Sequence, residues 1–213
     1  MKEDLINQYS QTLINIYPKK YLKNCLYDYI VVLKNQENPI EKNNILYTNY
    51  QDFFKHDYLI YPIPVYRKPR KLLTYQESMT ILNNMNYGSL AITNDIPYCV
   101  SLNHFVVDQH IYFHCGQQGY KLKGLNQLAC YHVVEDLGIH QEAFTNNHNS
   151  VVVYGILKEV KKNKKALLEA FLKRFTPDFT KDLTVQAIEN TKILELEIIH
   201  ITGKKHFHIF NCV

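Results

Sequence analysis

The sequence predicts a mainly β (α+β) fold, an antiparallel barrel of six strands with flanking helices. Beyond about residue 70, six apolar runs with strand composition follow one another, and short turns separate several of them. Only two or three segments of that region have a helical pattern. Many strands, tight turns and few helices together favour an antiparallel barrel.

Residues 1–66 are expected to form an N-terminal extension that packs on the main domain, residues 67–213. No glycine occurs before Gly88, and three prolines between residues 62 and 69 make the junction a stiff, extended connector. The apolar content of the extension is too high for a flexible linker. Its expected elements are one helix and two short strands: Asp4–Ile16, Ile30–Leu33 and Leu46–Thr48.

The main domain is expected to begin with a helix that runs to about Met85. Thr74 is a suitable N-cap, and Glu77 three residues later completes a capping box. The six strands are expected at Gly88–Thr93, Pro97–Val107, His110–Cys115, Ala129–Glu135, Val151–Val160 and Ile193–Ile201. Turns are expected at Asn94–Asp95 and Asp108–Gln109, and helices at Tyr120–Leu128 and Lys164–Arg174.

Composition limits the classes of protein to which the chain can belong. It has 213 residues, of which 46% are hydrophobic and 21% charged, so it can bury a sizeable core. No apolar run approaches 18 residues and the first residues include acids, so we expect no membrane span and no secretory signal. A cytoplasmic protein is the resulting expectation.

Cysteine and charge patterns argue against three further classes. The five cysteines are an odd number and widely spaced without a C-x-x-C pair, which argues against a disulfide framework and a zinc ribbon. The net charge of +4 lies partly in two lysine-rich runs without interleaved aromatic residues, so no nucleic-acid partner is predicted. His206 and His208 supply only two ligands, and no metal site is predicted.

The loop after the third strand has the composition of an anion-binding turn. Gly116 and Gly119 frame a tight turn, and a helical segment that contains Lys121 and Lys123 follows. Glycines allow backbone N–H groups to converge, and a lysine adds a full positive charge for a phosphate. An ordinary strand-to-helix turn with exposed lysines remains the alternative.

Several segments together resemble a known family. They read, in order, Tyr87-Gly-Ser-Leu-Ala91, Pro97-Tyr-Cys-Val-Ser-Leu-Asn-His104, Ile111-Tyr-Phe-His-Cys115, Gly119-Tyr-Lys-Leu122, Ser150-Val-Val-Val-Tyr-Gly155 and Arg174-Phe-Thr-Pro177. In this order and spacing they resemble the pyridoxamine 5'-phosphate oxidase-like family with the FMN-binding split-barrel fold, and more narrowly its nitroimidazole-resistance (Nim-type) branch. The resemblance covers about residues 70–201.

The resemblance implies a homodimer that binds FMN in the groove between its subunits. The cofactor-binding residues that it implies are Val100, Ser101, Leu102 and Asn103 at the flavin ring, and His114, Cys115, Gly119, Tyr120, Lys121 and Lys123 near the ribityl chain and phosphate. Tyr120 stands where the family has arginine, Ser101 where it has proline, and Cys115 where it has serine. The phosphate contact of that arginine is then either missing or replaced by Lys123. His114 is the candidate catalytic residue.

Three functions follow from this resemblance. The first is an FMN-dependent oxidoreductase that acts on a small molecule, such as a nitro-aromatic compound. The second is a flavin- or haem-binding protein without turnover, because related split barrels bind haem. The third is a structural remnant whose cofactor site has decayed.

Overall fold

The computed structural model describes residues 1–64, 68, 71–107, 110–142 and 144–206. Contacts divide the chain into two compact units, each built from several segments. One unit contains Met1–Ile81, Val134–Val153 and the residues from Ile199 onward, and the other contains Leu82–Val133 and Tyr154–Ile198. The expected division of the chain after residue 66 stays a prediction.

A four-stranded sheet occupies the first fifty residues. Its strands are β1 (Leu13–Pro18), β2 (Tyr29–Leu33), β3 (Ile40–Lys42) and β4 (Ile45–Asn49), in the spatial order β1-β2-β4-β3. Helices α1 (Lys2–Gln8) and α2 (Tyr50–Lys55) flank it in the sequence. The two strands expected here are confirmed as β2 and β4.

The helix expected over Asp4–Ile16 is wrong in its second half. Helix α1 ends at Gln8, and residues from Leu13 onward form β1, which pairs antiparallel with β2. Five successive residues of β1 are buried, so both faces of the strand are covered. This run, apolar apart from Asn15, suits a strand that is buried on both faces as well as a helix, and tertiary pairing decided between them.

Helix α3 (Tyr75–Asn84) begins with the expected capping box. The backbone N–H of Glu77 donates to Oγ1 of Thr74 at 3.2 Å, and the backbone N–H of Thr74 donates to Oε2 of Glu77 at 2.6 Å. This reciprocal pair satisfies two N–H groups that the helix itself leaves without partners. The capping residues therefore fix the start of α3.

The remaining strands form a seven-stranded sheet. They are β5 (Tyr87–Thr93), β6 (Pro97–Asn103), β7 (Phe105–Val107), β8 (His110–Gly116), β9 (Leu128–His140), β10 (Thr145–Val160) and β11 (Thr191–His206). Their spatial order is β6-β5-β9-β10-β11-β8-β7. Helices α4 (Lys164–Phe175) and α5 (Val185–Asn190) lie between β10 and β11 in the sequence. The mainly β, antiparallel fold class is confirmed.

The expected number of six strands is corrected to seven because one predicted strand divides at His104. β6 pairs with β5 at one edge of the sheet, whereas β7 pairs with β8 at the other. His104 lies between them with its side chain fully buried. Its ring is 2.7 Å from the Leu82 carbonyl and 2.8 Å from the Tyr131 hydroxyl. These bonds hold the chain where it passes from one edge to the other.

Smaller differences concern the helices and turns. The helix expected at Tyr120–Leu128 is a 3₁₀ helix that ends at Gly124, while α4 extends the expected helix by one residue. The turn expected at Asp108–Gln109 lies outside the described residues. Within the described ranges no helix is long and apolar enough to cross a membrane.

Candidate functional site

The glycine-framed turn after β8 holds Lys121 in a defined position. Gly119 has φ 141° and ψ 152°, a conformation that is nearly restricted to glycine. A Cβ atom at this position would lie 3.1 Å from Nζ of Lys121. The lysine ammonium therefore lies back over the glycine, and the backbone conformation at this position requires a residue without a side chain.

Gly124 fixes the other end of the 3₁₀ helix against β5. A Cβ at Gly124 would come within 2.6 Å of Cγ2 of Ile92, so any larger residue would push the segment away from the strand. Gly116, in contrast, has open space around its Cβ position. Of the three glycines, Gly124 is thus required by its contacts and Gly119 by its backbone conformation.

Lys123 points to different neighbours from those of Lys121. Its ammonium lies 4.5 Å from the centre of the Tyr120 ring and 3.5 Å from a carboxylate oxygen of Asp95. The Tyr120 ring in turn contacts Tyr98 of β6, with 5.0 Å between ring centres. The two lysines of the turn therefore form two separate positively charged positions, one at Gly119 and one at the start of β6.

The four predicted ring-binding residues lie on β6, which is an edge strand of the large sheet. Its side chains alternate, so that Ser101 and Asn103 are exposed on one face while Val100 and Leu102 are half-buried on the other. The Leu102 carbonyl accepts a 2.9 Å hydrogen bond from the Tyr131 hydroxyl. Of these four residues, Ser101 and Asn103 have their side chains on the exposed face, and the Asn103 amide donates to the Asn86 carbonyl at 3.3 Å.

An apolar cavity of about 330 Å³ lies beside the first half of β6. Cys99 of β6 and Cys130 of β9 both pair with Ala91 of β5, one from each side. Three small side chains therefore lie in one row across the sheet. Tyr154 of β10 also lines the cavity. The pKa of the Cys130 thiol is raised by burial, which a hydrogen bond with Tyr154 partly offsets. The lining of the cavity is mainly apolar, so it suits an apolar group.

His114 and Cys115 lie on opposite faces of β8, because successive residues of a strand alternate. The His114 ring packs against Phe171 of α4 with 4.1 Å between ring centres, and its Nδ1 is buried without a hydrogen-bond partner among the described residues. Burial lowers the pKa of His114. The side chain of His114 thus lies on the face of β8 that packs against α4. Its catalytic role stays a prediction.

Cys115 is buried next to the lysine turn. Burial raises the pKa of its thiol, whereas the positive charges of Lys121 and Lys192 oppose that increase. Lys192 of β11 lies directly across from Cys115 in the antiparallel ladder. Its ammonium is 2.7 Å from a carboxylate oxygen of Glu159.

Sequence reasoning missed Lys192, Glu159 and Tyr154. Lys192 is far from the turn in sequence, and only the register of β11 against β8 places it beside Cys115. An alternating strand pattern indicates which face a residue occupies but not which strand is its neighbour. No local signal in the sequence could have identified these three residues.

The family model described as pyridoxamine 5'-phosphate oxidase matches residues 74–205. No curated protein is significantly similar to the chain.

Three solved structures illustrate the fold. The flavocytochrome Anf3 from Azotobacter vinelandii is 20% identical over 68% of this chain and 73% of its own, with a TM-score of 0.60. The FAD and heme binding protein from Mycobacterium smegmatis is 18% identical over 65% and 74%, with a TM-score of 0.57. A candidate 5-nitroimidazole antibiotic resistance protein from Bacteroides thetaiotaomicron is 21% identical over 63% and 86%, with a TM-score of 0.54. At these identities the three structures share the fold with this chain. Since the family model covers more than half of its residues, the chain belongs to the pyridoxamine 5'-phosphate oxidase family.

Proposed function

We propose that this chain is a flavoprotein that holds FMN, with the phosphate at Lys121 and the ring along the exposed face of β6. The observation that carries the proposal is the ammonium of Lys121, which lies back over Gly119 in the glycine-framed turn after β8. A lysine in such a position offers a phosphate a charge-assisted hydrogen bond. The flavin-binding neighbours of the same fold support the class of cofactor.

The exposed face of β6 suits the ring of a flavin. Because β6 is an edge strand, peptide groups along its outer side are open to a ligand, and Ser101 and Asn103 add polar side chains. The adjacent cavity, at about 330 Å³, is within the size range of small-molecule sites. Tyr98 connects this region to Lys123 through the Tyr120 ring.

The proposed activity is that of an oxidoreductase acting on a small molecule, such as a nitro-aromatic compound, in the cytoplasm. A bound flavin supplies the hydride chemistry, while the protein binds and orients the ring. We further propose a homodimer, because Tyr87, Cys99 and Ser101 leave the outer face of β5 and β6 exposed. A second subunit on this face would enclose a ligand that one sheet leaves open.

A flavin- or haem-binding protein without turnover is the second candidate. It is supported by two neighbours of the same fold, one a flavocytochrome and the other an FAD and heme binding protein. Binding of FAD instead of FMN would be compatible with either candidate function.

The absorption spectrum of the purified full-length protein distinguishes these candidates. We expect the two-banded spectrum of an oxidised flavin, and mass spectrometry of the released ligand should identify FMN rather than FAD. An intense Soret band would instead establish haem. Oxidation of NADH or NADPH in the presence of nitro-aromatic acceptors then separates an enzyme from a carrier. A protein that carries no flavin and binds none when FMN is added would overturn the proposal.

A further inference from the structure

The β8–β11 ladder brings a second lysine to the turn that carries Lys121. Lys192 pairs with Cys115, and Thr191 pairs with Gly116, where the turn begins. Directly opposite residues of an antiparallel pair place their side chains on the same face. The Lys192 side chain therefore leaves the sheet on the side of the Cys115 thiol.

A hydrogen bond ties the turn to the segment that precedes Lys192. The side-chain amide of Gln117 donates to the carbonyl of Glu189 at 2.6 Å. This contact joins the loop between Gly116 and Gly119 to the end of α5, three residues before Lys192. The position of the turn relative to the start of β11 is thus fixed at two points.

The charges around Cys115 do not balance. Lys121 and Lys192 both act on the thiol, and burial keeps that thiol protonated, as the raised pKa of Cys115 indicates. Glu159 is the acidic group among these neighbours, and it pairs with Lys192 at 2.7 Å. The Lys192 and Glu159 side chains are only 20% and 28% exposed. Among the described residues that act on the thiol, one carboxylate thus stands against two ammonium groups.

We infer that Lys192 is a second cation for the anionic group of the ligand, acting with Lys121, and that Glu159 holds the Lys192 ammonium in position. The inference rests on the proposed function, because it assigns a residue to the phosphate end of the same site. Two ammonium groups favour a phosphate dianion over an uncharged hydroxyl. Lys192 is therefore a determinant of the preference for FMN over riboflavin.

The test is a set of titrations of the full chain with FMN and with riboflavin. The quenching of flavin fluorescence measures binding. Lys192→Gln should weaken FMN binding about tenfold, the equivalent of one lost charge-assisted contact. Riboflavin affinity should change less than twofold. Lys192→Arg, which keeps the charge, should restore the FMN preference.

Lys158→Gln is the matched control. Lys158 also forms an ion pair between β10 and β11, with Glu197, but it lies away from the turn. This variant should bind both flavins as the wild-type protein does. Thermal unfolding of each variant reports whether it folds.

Equal losses of FMN and riboflavin in folded Lys192→Gln, or no loss of either, would overturn the inference. If the wild-type protein binds no flavin, the proposed function fails but the inference can still be tested with inorganic phosphate. Phosphate binding, measured by the broadening of the ³¹P resonance, should then be lost in Lys192→Gln and kept in Lys158→Gln. No phosphate binding by the wild-type protein would overturn the inference as well.

Discussion

The side-chain amide of Asn15 pairs with the backbone of Ile201 as a neighbouring strand would. Its Nδ2 donates to the Ile201 carbonyl at 2.8 Å, and the Ile201 N–H donates to its Oδ1 at 3.3 Å. Asn15 is 2% exposed, so water cannot replace either bond. A residue of β1 thus satisfies both backbone groups of one residue in β11.

Replacing Asn15 should be costly because it leaves buried polar groups without partners. Asn15→Ala removes two hydrogen bonds and leaves the N–H and C=O of Ile201 buried without partners. We expect it to lower the free energy of unfolding by about 2–5 kcal/mol. Urea unfolding at neutral pH measures the loss. Asn149→Ala provides the control, since Asn149 donates to Glu135 in a partly buried pair. A loss no larger than that of the control would contradict this assignment.

Acid should destabilise the protein through two buried histidines. Burial lowers the pKa of His104 to about 4 and that of His200 to about 3, from an ordinary value of 6.5. Above pH 6.5 both rings are neutral in either state, and the full stability is present. As the pH falls below 6.5, the two histidines bind protons in the unfolded chain but not in the folded chain. The free energy of unfolding therefore decreases.

The expected loss between pH 7 and pH 5 is about 2 kcal/mol for each histidine. Urea unfolding at several pH values measures it. His110→Gln should retain the acid dependence, because His110 is about half exposed. A free energy of unfolding that stays constant between these pH values would show that the two rings titrate normally.

Gly119 and Gly116 should respond differently to alanine. Gly119→Ala places a Cβ 3.1 Å from the Lys121 ammonium and forces an unfavourable φ, so it should displace that lysine and weaken FMN binding. The backbone strain alone amounts to about 1–3 kcal/mol. Gly116→Ala should leave FMN binding unchanged, because its Cβ would contact nothing within 4 Å. Equal effects of the two substitutions on FMN titrations would contradict this account of the turn.

Substitutions of Lys121 and of Lys123 should have different effects on FMN binding. Lys121→Ala should weaken FMN binding about ten- to a hundredfold, the effect of losing one charge-assisted hydrogen bond, and leave riboflavin binding nearly unchanged. Added salt should reduce the FMN preference of the wild-type protein more than that of the variant. Lys123→Ala is the comparison, since its ammonium is already engaged by Asp95 and Tyr120. A larger loss of FMN affinity in Lys123→Ala would move the phosphate to that lysine.

The proposed homodimer predicts a molar mass of two chains in solution. Light scattering coupled to size exclusion should give about twice 25.2 kDa at micromolar protein. Tyr87→Glu introduces a charge on the exposed face of β5 and should shift the equilibrium toward monomers. Ile40→Glu, on an exposed position of β3, should not. A wild-type monomer that retains bound flavin would contradict the dimer.

Features fixed by neighbouring residues were predictable from the sequence. The capping box of Thr74 and Glu77, the glycine turn and the strands of the main domain each depend on a few adjacent positions. The split of the strand at His104 was not predictable, because a run from Pro97 to Val107 has the same alternation whether it pairs at one edge or at two. Lys192 was missed for a related reason. Its place beside Cys115 depends on which strand is the neighbour of β8.

The position of β11 in the large sheet determines when that sheet can be completed. β11 separates the group β6-β5-β9-β10 from the pair β8-β7. A nascent chain that has not yet produced Thr191 holds two partial sheets, each with an open edge. Their union requires pairing between residues about 80 positions apart, as between Tyr112 and Glu195. Such distant pairing is slow, because the chain must close a long loop before it gains any contact. β11 therefore joins the two parts of the sheet, which can be completed only after β11 itself has left the ribosome.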